Sequence, residues 1–579
     1  MFERLAYASL RFAALLLLAL TVACGPGAPT PAAPTAPVAK PTEAPAPAAT
    51  TAPAAATTAP AAAAATTAPA KPAAAAPAKG GQIVYSVVGT DVRILNTILQ
   101  SDTVSGAITE RVFDPLVNTD PKTGAIIPEL AESWEISPDA QTYTFKIRSG
   151  VKFHDGHALT SDDVKFTYDV LKTDRVKTQR TSSVEKVKSV DAVDPQTLRI
   201  SLTEAYCPFL NDLTQLGILP KHLLENSKDL NEDPFNLKPV GSGAFKFVEW
   251  VKDDHVTLQA NDDYWGGRPS IDRFILRPLK DRAAQIAQLK TGEVDVAVID
   301  ATEVKDLEPT HAITRYFPLG LTYLAYNTRQ PGLDDMHVRQ ALNYALDRKL
   351  IIDQVLLGEG RPMASDVPPD SWAYNPNTKQ YDFSPDKAKQ MLDAAGWTVG
   401  AGGIRAKGGQ PLKYTIWTNS GAKVREAVVT IAQQQFKDVG VDMEIQLQDF
   451  ASMINRINKL EFDMFVSGFV FGADPDNYDL WHSSRKPDPA TGKEGFNRSG
   501  FSTPELDALI EKARTVPGCA QAARKDLYTQ IQDKVSEGAG WNFLFQERSI
   551  VASNKKVAGI DPSPFRRLLY NVHKWTVQS

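Results

Sequence analysis

The sequence predicts an α/β protein of more than one domain, and three observations carry that prediction. The stretch from Gly80 to Ser579 is long enough for two or more domains of roughly 100–200 residues each. Within it, runs of period-two alternation trade places with runs of helical period, the pattern of α/β architecture. Beyond the first 24 residues no apolar run approaches the length needed to cross a bilayer.

Residues 1–23 read as a signal peptide. Arg4 and Arg11 supply its positive charge, and Phe12 to Leu20 an apolar run too short to span a bilayer as a mature helix. Thr21, Val22 and Ala23 lead into Cys24 in a pattern that resembles a bacterial lipoprotein processing site, with Thr21 where that site usually has Leu, Val or Ile. Acylation of Cys24 would anchor the mature chain to a membrane it does not cross. An ordinary signal peptide followed by a leftover cysteine is the alternative. Residues 24–79 form a linker, nearly all Ala, Pro and Thr, with too little apolar surface to offset the entropy of ordering. Proline at this density favours an extended chain rising about 3.1 Å per residue. A lipid-anchored tether, a glycosylated stalk and a cell-wall spacer all fit it.

Gln82 to Val88 reads as the first strand and Gly89 to Asn96 as a polar loop, and Ile108 to Val117 as a helix and then the segment VFDPLV. The pattern is clearest from Leu130 to Lys172. Tyr143, Phe145 and Ile147 alternate with polar residues, which places them on one buried face. The chain turns at Ser149 and Gly150, resumes as a short strand with Val151 and Phe153 inward, and turns again at Asp155 and Gly156. Thr160 then caps a helix, Asp163 reaching back in a capping box, with Val164, Tyr168 and Leu171 on one face. Val190 to Leu202 is a hairpin turned at Asp194 and Pro195. A helix ends at Gly292, and Val294 to Ile299 is a buried strand.

Tyr323 to Asn327 is a strand, and Asp335 to Leu350 one long periodic helix with Val338, Leu342, Ala345 and Leu346 inward. Ser384 to Trp397 is a capped helix closed at Gly396. The strand Tyr414–Trp417, the loop 418–421, the helix 427–439 and the strands 441–447 and 462–466 continue the alternation. The last of these opens into GFVFGADPDNYDLW. A loop and helix follow in FNRSGFSTPELDALIEKA, and after Gly540 the chain is again apolar and strand-like.

Three blocks, LAESWEISPDAQTYTFKIRSGVKFHDGHALTSDDVKFTYDVLK, the run PVGSGAFKFVEW with NDDYWGGRPSIDRF and IAQLKTGEVDVAVI, and YLAYN, closely resemble segments of the large extracytoplasmic solute-binding proteins of ABC importers. This is the family 5 type, which includes oligopeptide, dipeptide and nickel receptors. Ser242, Ala244 and Phe245 stand where that family commonly has Thr, Pro and Tyr. The resemblance implies a type II periplasmic-binding-protein fold of two lobes crossed twice by the chain. Lobe I would take 80–320 plus 540–579, with an extra subdomain at about 115–235, and lobe II 321–539. It implies no enzyme and no cofactor. The partners it implies are ABC permease and ATPase subunits, a peptide or other small-molecule ligand, and a membrane held through the lipid. The protein is expected to act as a monomer outside the cytoplasmic membrane, in a periplasm or on the outer face of a single membrane.

Ligand capture between lobes calls for apolar and aromatic surface with a few placed polar groups. Trp372, Trp417, Phe469, Phe471, Trp481 and Phe501 fall in or beside predicted loops of lobe II, and Thr90, Asp91 and Asn419 in loops that the resemblance brings to the cleft. In the family's peptide receptors the loop equivalent to 468–481 carries an aspartate that pairs with the peptide's amino terminus. Here Phe471, Gly472 and Ala473 occupy that place. Asp474 and Asp476 are candidates to replace it, although turn formation and helix capping are their simpler roles. This disfavours a free dipeptide as the ligand and favours an oligosaccharide, a longer peptide or another polar solute.

The other function classes find little support. Acidic and basic residues nearly balance at 68 and 63, so charge implies no nucleic-acid partner. The glycine-rich turn at Gly241 and Gly243 lacks phosphate-loop spacing. Arg339, Asp347 and Arg348 read as surface or interlobe ion pairs rather than catalytic charges. His154, Asp155 and His157 in FHDGH lack the helical spacing of a zincin and show no distant partner, so they read as turn residues and no metal is expected. Cys207 and Cys519 are the remaining cysteines, and a bridge and two free thiols are both open. A surface adhesin would explain the stalk but not the resemblance over the rest of the chain.

Overall fold

The structure, a computed structural model, describes residues 80–89, 91–493 and 495–578. The signal peptide, the lipid site Cys24, the linker and Thr90 lie outside the described residues. Among those described, strands group into a seven-stranded sheet, a six-stranded sheet, a four-stranded sheet and smaller ribbons. The chain forms a two-lobed α/β protein around the two large sheets.

The seven-stranded sheet runs His311–Tyr316, Ser549–Asn554, Val296–Ile299, Gln82–Val88, Arg273–Leu279, His255–Ala260 and Phe245–Val251. Gln82–Val88 pairs in parallel with both of its neighbours. The six-stranded sheet runs Gly360–Pro362, Trp541–Glu547, Gly320–Tyr326, Met464–Val470, Lys413–Asn419 and Asp442–Gln448. Both sheets are buried on both faces. In the second, Leu324 and Tyr326 pack into one core cluster while Tyr323 and Ala325 pack into the other, which is the two-residue period of a strand covered on both sides.

The signature segment folds largely as its pattern dictates. Ala131–Ile136, Thr142–Ile147, Thr197–Leu202 and Val187–Asp194 form the four-stranded sheet of the subdomain, with Tyr143, Phe145 and Ile147 all within 1 % of full burial. Thr160 and Asp163 close the expected capping box on the helix Ser161–Val170. The expected strand at Val151–Phe153 reduces to a single bridge between Lys152 and Ala158. Its apolar side chains are inward all the same.

The chain passes between the large sheets twice, through Phe317–Leu319 and again at Arg548. The second crossing corrects the boundary expected at Gly540. Trp541–Glu547 pairs antiparallel with Gly320–Tyr326 in the six-stranded sheet, and only Ser549–Asn554 returns to the first. The apolar run 541–552 is two strands in two sheets, and apolarity alone carries no sign of the change. At this point the Arg361 and Arg548 guanidinium groups sit 4.1 and 5.0 Å from the Phe317 ring centroid, and Glu359 accepts from both Arg315 and Arg548.

The expected helix 335–350 is two helices, Met336–Ala345 and Arg348–Gln354, because the Asp347 carboxylate caps the second by accepting from Leu350 N. Arg339 and Arg348 are not ion-pair residues. They are buried, and donate to the carbonyl oxygens of Leu333, Gly538 and Ala539 and of Met363, Tyr381 and Phe543. Each guanidinium satisfies the ends of neighbouring elements that have no backbone partner.

Candidate functional site

The strand Met464–Val470 delivers the loop GADPDN to the boundary between lobe II and the subdomain. Phe471 N donates to Leu319 O at 2.9 Å, so the loop starts from the crossing itself. Asp474 then makes the turn, accepting from Asp476 N, and its two oxygens hold Arg524 at 2.7 and 2.8 Å. Asp476 accepts from Tyr478 N at the next helix and pairs with Arg514 at 3.0 Å. Both aspartates thus hold turns, while the N-cap position of the helix Tyr478–Trp481 falls to Asn477, and each aspartate carries its own arginine.

Facing them is the short helix Phe209–Leu213 of the subdomain. Asn211 Oδ1 accepts from Asp474 N, and Tyr206 donates its hydroxyl to Asp212 Oδ2 at 3.0 Å. The Arg514 guanidinium lies between the rings of Tyr478 and Tyr206, 4.0 and 4.9 Å from their centroids. Cys207 and Cys519 are joined in a disulfide with Cα atoms 5.2 Å apart, a covalent tie between the subdomain and lobe II. Between these surfaces lies a polar cavity of about 130 Å³, lined by Ser182, Lys186, Tyr206, Asp212, Asp476 and Arg514 among others.

Glu185, Asp212, Asp476 and Asp479 line this cavity together with Lys186, Arg485 and Arg514. Burial, together with the fields of Asp476 and Asp474, pushes the Asp212 carboxyl up to about 8, although its bond from Tyr206 works the other way. Burial also raises Asp476 to about 6, against the pull of Arg514. Arg514 pays a desolvation cost, but Asp476 and then Tyr206 outweigh it and hold the guanidinium charged. Among the described residues Asp212 makes no ion pair, although the field of Arg514 reaches it, so a positive group entering the cavity would favour its ionised form.

The remaining candidates separate cleanly. Trp417 and Trp481 are core residues, 2 % and 0 % exposed. Trp481 donates to Asp366 Oδ2 at 2.6 Å and packs on Trp541, and Trp417 donates to Thr415 Oγ1 with Arg456 4.2 Å above its ring. Trp417 lies on its expected strand, which runs two residues further, to Asn419, and Trp481 lies on a short helix rather than in a loop. Phe501 fills the space over Gly538 and Gly540, where any Cβ would meet its ring, and so braces the core. Asp91 clamps its own loop, accepting from Val92 N and Asp253 N.

Trp372 stands edge-on to Tyr528 with Arg524 5.5 Å away, beside the Asp474 pair. Phe469 and Phe471 are half-buried neighbours, 5.1 Å apart, at the end of their strand. Asn419 ends the strand Lys413–Asn419, and its Oδ1 is buried without a hydrogen-bond partner, as are Arg425 Nε and Gln448 Nε2 nearby. These polar atoms lie beyond the carboxyl ends of parallel strands, where open α/β sheets place their ligands. Glu547, raised by burial and by Asp300 of lobe I against the pull of Arg425, adds an acid there. Asp212, Tyr206 and Arg514 escaped the sequence reading. Pairing Cys207 with Cys519 was the one signal that could have brought 206–212 beside 514–519.

The sequence profile of the bacterial extracellular solute-binding proteins, family 5, matches residues 125–490. The oligopeptide-binding protein AppA of Bacillus subtilis is 34 % identical over 514 residues, covering 87 % of this chain and 93 % of that protein. The solved structure of that AppA with a nonapeptide superposes with a TM-score of 0.74, covering 87 % of this chain and 100 % of the other. NikZ of Campylobacter jejuni, solved with Ni(L-His), gives 0.75 at 29 % identity, covering 86 % and 99 %. Two sheets crossed twice, a cavity between the subdomain and lobe II, and a profile match over most of the folded chain together place this chain in family 5 of the bacterial extracellular solute-binding proteins.

Proposed function

We propose that the chain captures peptides outside the cytoplasmic membrane as the receptor of an ABC importer, and that Asp212 receives the positively charged amino terminus. The observation that carries this is the carboxylate itself. Asp474 and Asp476 are occupied by Arg524 and Arg514, while Asp212 faces the same cavity with a hydrogen bond from the Tyr206 hydroxyl and no ion pair among the described residues. The amine site has moved from the loop to the opposite wall. Relatives that bind a nonapeptide and, in DppA of Helicobacter pylori, the peptide STSA support peptide as the ligand class.

Capture works by differential affinity: a ligand that touches both lobes favours the closed arrangement over the open one. The segments 317–319 and 548 are the hinge, and partner permease and ATPase subunits read the closed form. A disulfide suits an oxidising compartment, and Cys24 carries the lipid that holds the receptor at the membrane through the 25–79 linker. A non-peptide polar solute is the second reading, favoured by the engagement of both loop aspartates in ion pairs.

Native mass spectrometry of the purified chain, followed by denaturation and identification of the released molecules, tests the two. Peptides released from wild type and depleted from Asp212→Asn support the proposal. A sugar or metal chelate in their place overturns peptide as the ligand class.

A further inference from the structure

The signature turn carries a second feature away from the cavity. Phe153 N donates to His157 O and Gly156 N to Phe153 O, closing the turn FHDGH, with Gly156 at φ 95°. His154 points inward as a brace: its Nδ1 accepts from Gly241 N and its Nε2 lies 3.0 Å from Gly243 O. Asp155 and His157 are left on the outside, and the fold brings His222 to them from the helix Lys221–Leu224. That helix is itself fixed, since Lys221 N donates to the capping carboxylate Asp163 at 3.0 Å. The distant partner invisible in sequence is therefore 67 positions from Asp155.

The three side chains converge tightly. His222 Nε2 is 2.7 Å from Asp155 Oδ2, His157 Nδ1 is 3.3 Å from Asp155 Oδ1, and the two imidazole rings stack at 3.9 Å with planes 21° apart. One ligating atom from each residue falls within 4.8 Å of the others. A divalent ion fits this arrangement, taking two imidazole nitrogens and one carboxylate oxygen at about 2.0–2.2 Å. His157, 63 % exposed, has the freedom to make the small adjustment. The remaining positions on the ion stay open to water.

We propose that Asp155, His157 and His222 form a surface site for a divalent transition metal ion of the zinc, nickel or copper class. Nitrogen-rich ligation selects these over magnesium or calcium, which take oxygen ligands. The ion would staple the signature turn to the 221–224 helix, two segments of lobe I that the His222–Asp155 bond and the packing of His222 on His157 and Phe153 already bring together. None of the three residues lines the cavity at Asp212, so occupancy is independent of peptide capture.

Isothermal titration of the tag-free chain with ZnCl₂ and with NiCl₂ tests the site. One ion is expected to bind per chain, at least tenfold more weakly in His157→Ala and in His222→Ala, with MgCl₂ giving no heat. Electron paramagnetic resonance of the Cu²⁺-loaded chain is expected to show coupling to two nitrogens, falling to one in His157→Ala. His157 is exposed, so that variant keeps its fold, which circular dichroism checks. Metal affinity unchanged in both variants, or no binding up to about 100 times the protein concentration, overturns the site.

Discussion

Asp212 shows how one residue can be tuned by what surrounds it. A carboxyl raised to about 8 in the folded chain binds its proton more tightly than in the unfolded chain, where about 3.9 is usual. Its contribution to folding is therefore full at low pH, and is lost as pH rises from about 4 towards 8. Asp212→Asn, which keeps the shape and removes the charge, should raise the stability of the empty protein at pH 8 by up to about 5 kcal/mol and leave it nearly unchanged at pH 4. Urea unfolding at the two pH values measures this. The same coupling predicts that an amine-bearing ligand, by favouring the ionised form, releases a proton on binding near pH 7. Titration calorimetry in buffers of different ionisation enthalpy would detect the release in wild type and not in Asp212→Asn. Equal buffer dependence in both would remove Asp212 from ligand recognition.

At the scale of elements, the segment 239–245 is decided by close approach rather than by a turn. A Cβ on Gly241 would lie 1.9 Å from Val112 O, and one on Gly243 2.4 Å from Arg111 O. Both glycines let this segment pass against the end of the helix Thr103–Val112. Gly241→Ala should cost about 1–3 kcal/mol through the forced backbone shift, with little effect on a ligand titration once the variant is folded. A melting temperature equal to wild type would show that the helix end gives way freely. The capping box at Thr160 and the inward faces of the signature strands were legible in sequence, because each is a local pattern, whereas the close approach at Gly241 and Gly243 depends on a distant helix end. The break at Leu346–Asp347 was not legible, since apolar spacing runs unbroken across it and only the capping aspartate marks the new helix. The aromatic candidates divided by the same logic. Trp417, read at the end of its strand beside a loop, sits inside a strand that runs on to Asn419, and Trp481, read in a loop, ends a short helix, so both pack into the core. Asp212 had no local signature at all, since its meaning comes from Asp476 across the cavity.

For the whole molecule, the disulfide changes what closure can be. A two-lobed receptor held only at Phe317–Leu319 and Arg548 could swing open like jaws. Here Cys207 of the subdomain and Cys519 of lobe II add a third covalent connection across a sequence separation of 312. Around it Cys207 N bonds to Arg514 O, and Tyr206 stacks on Arg514. A flank tied in this way is expected to stay together, so that opening would pivot between the crossings and the bridge, close to the cavity at Asp212. Cys519→Ser, or mild reduction of the wild type, should then free the flank. The ligand-free chain should show a larger radius of gyration by small-angle X-ray scattering and a several-fold faster ligand dissociation, while the ligand-bound radius stays the same. Thermal stability should fall as well, by the roughly 2–5 kcal/mol that loss of a native bridge costs in secreted domains. The distinguishing result is the scattering. If stability falls but the empty chain keeps its radius and the ligand its dissociation rate, the bridge serves folding alone, and the subdomain must be held to lobe II by the Asp476–Arg514–Tyr206 contacts without it.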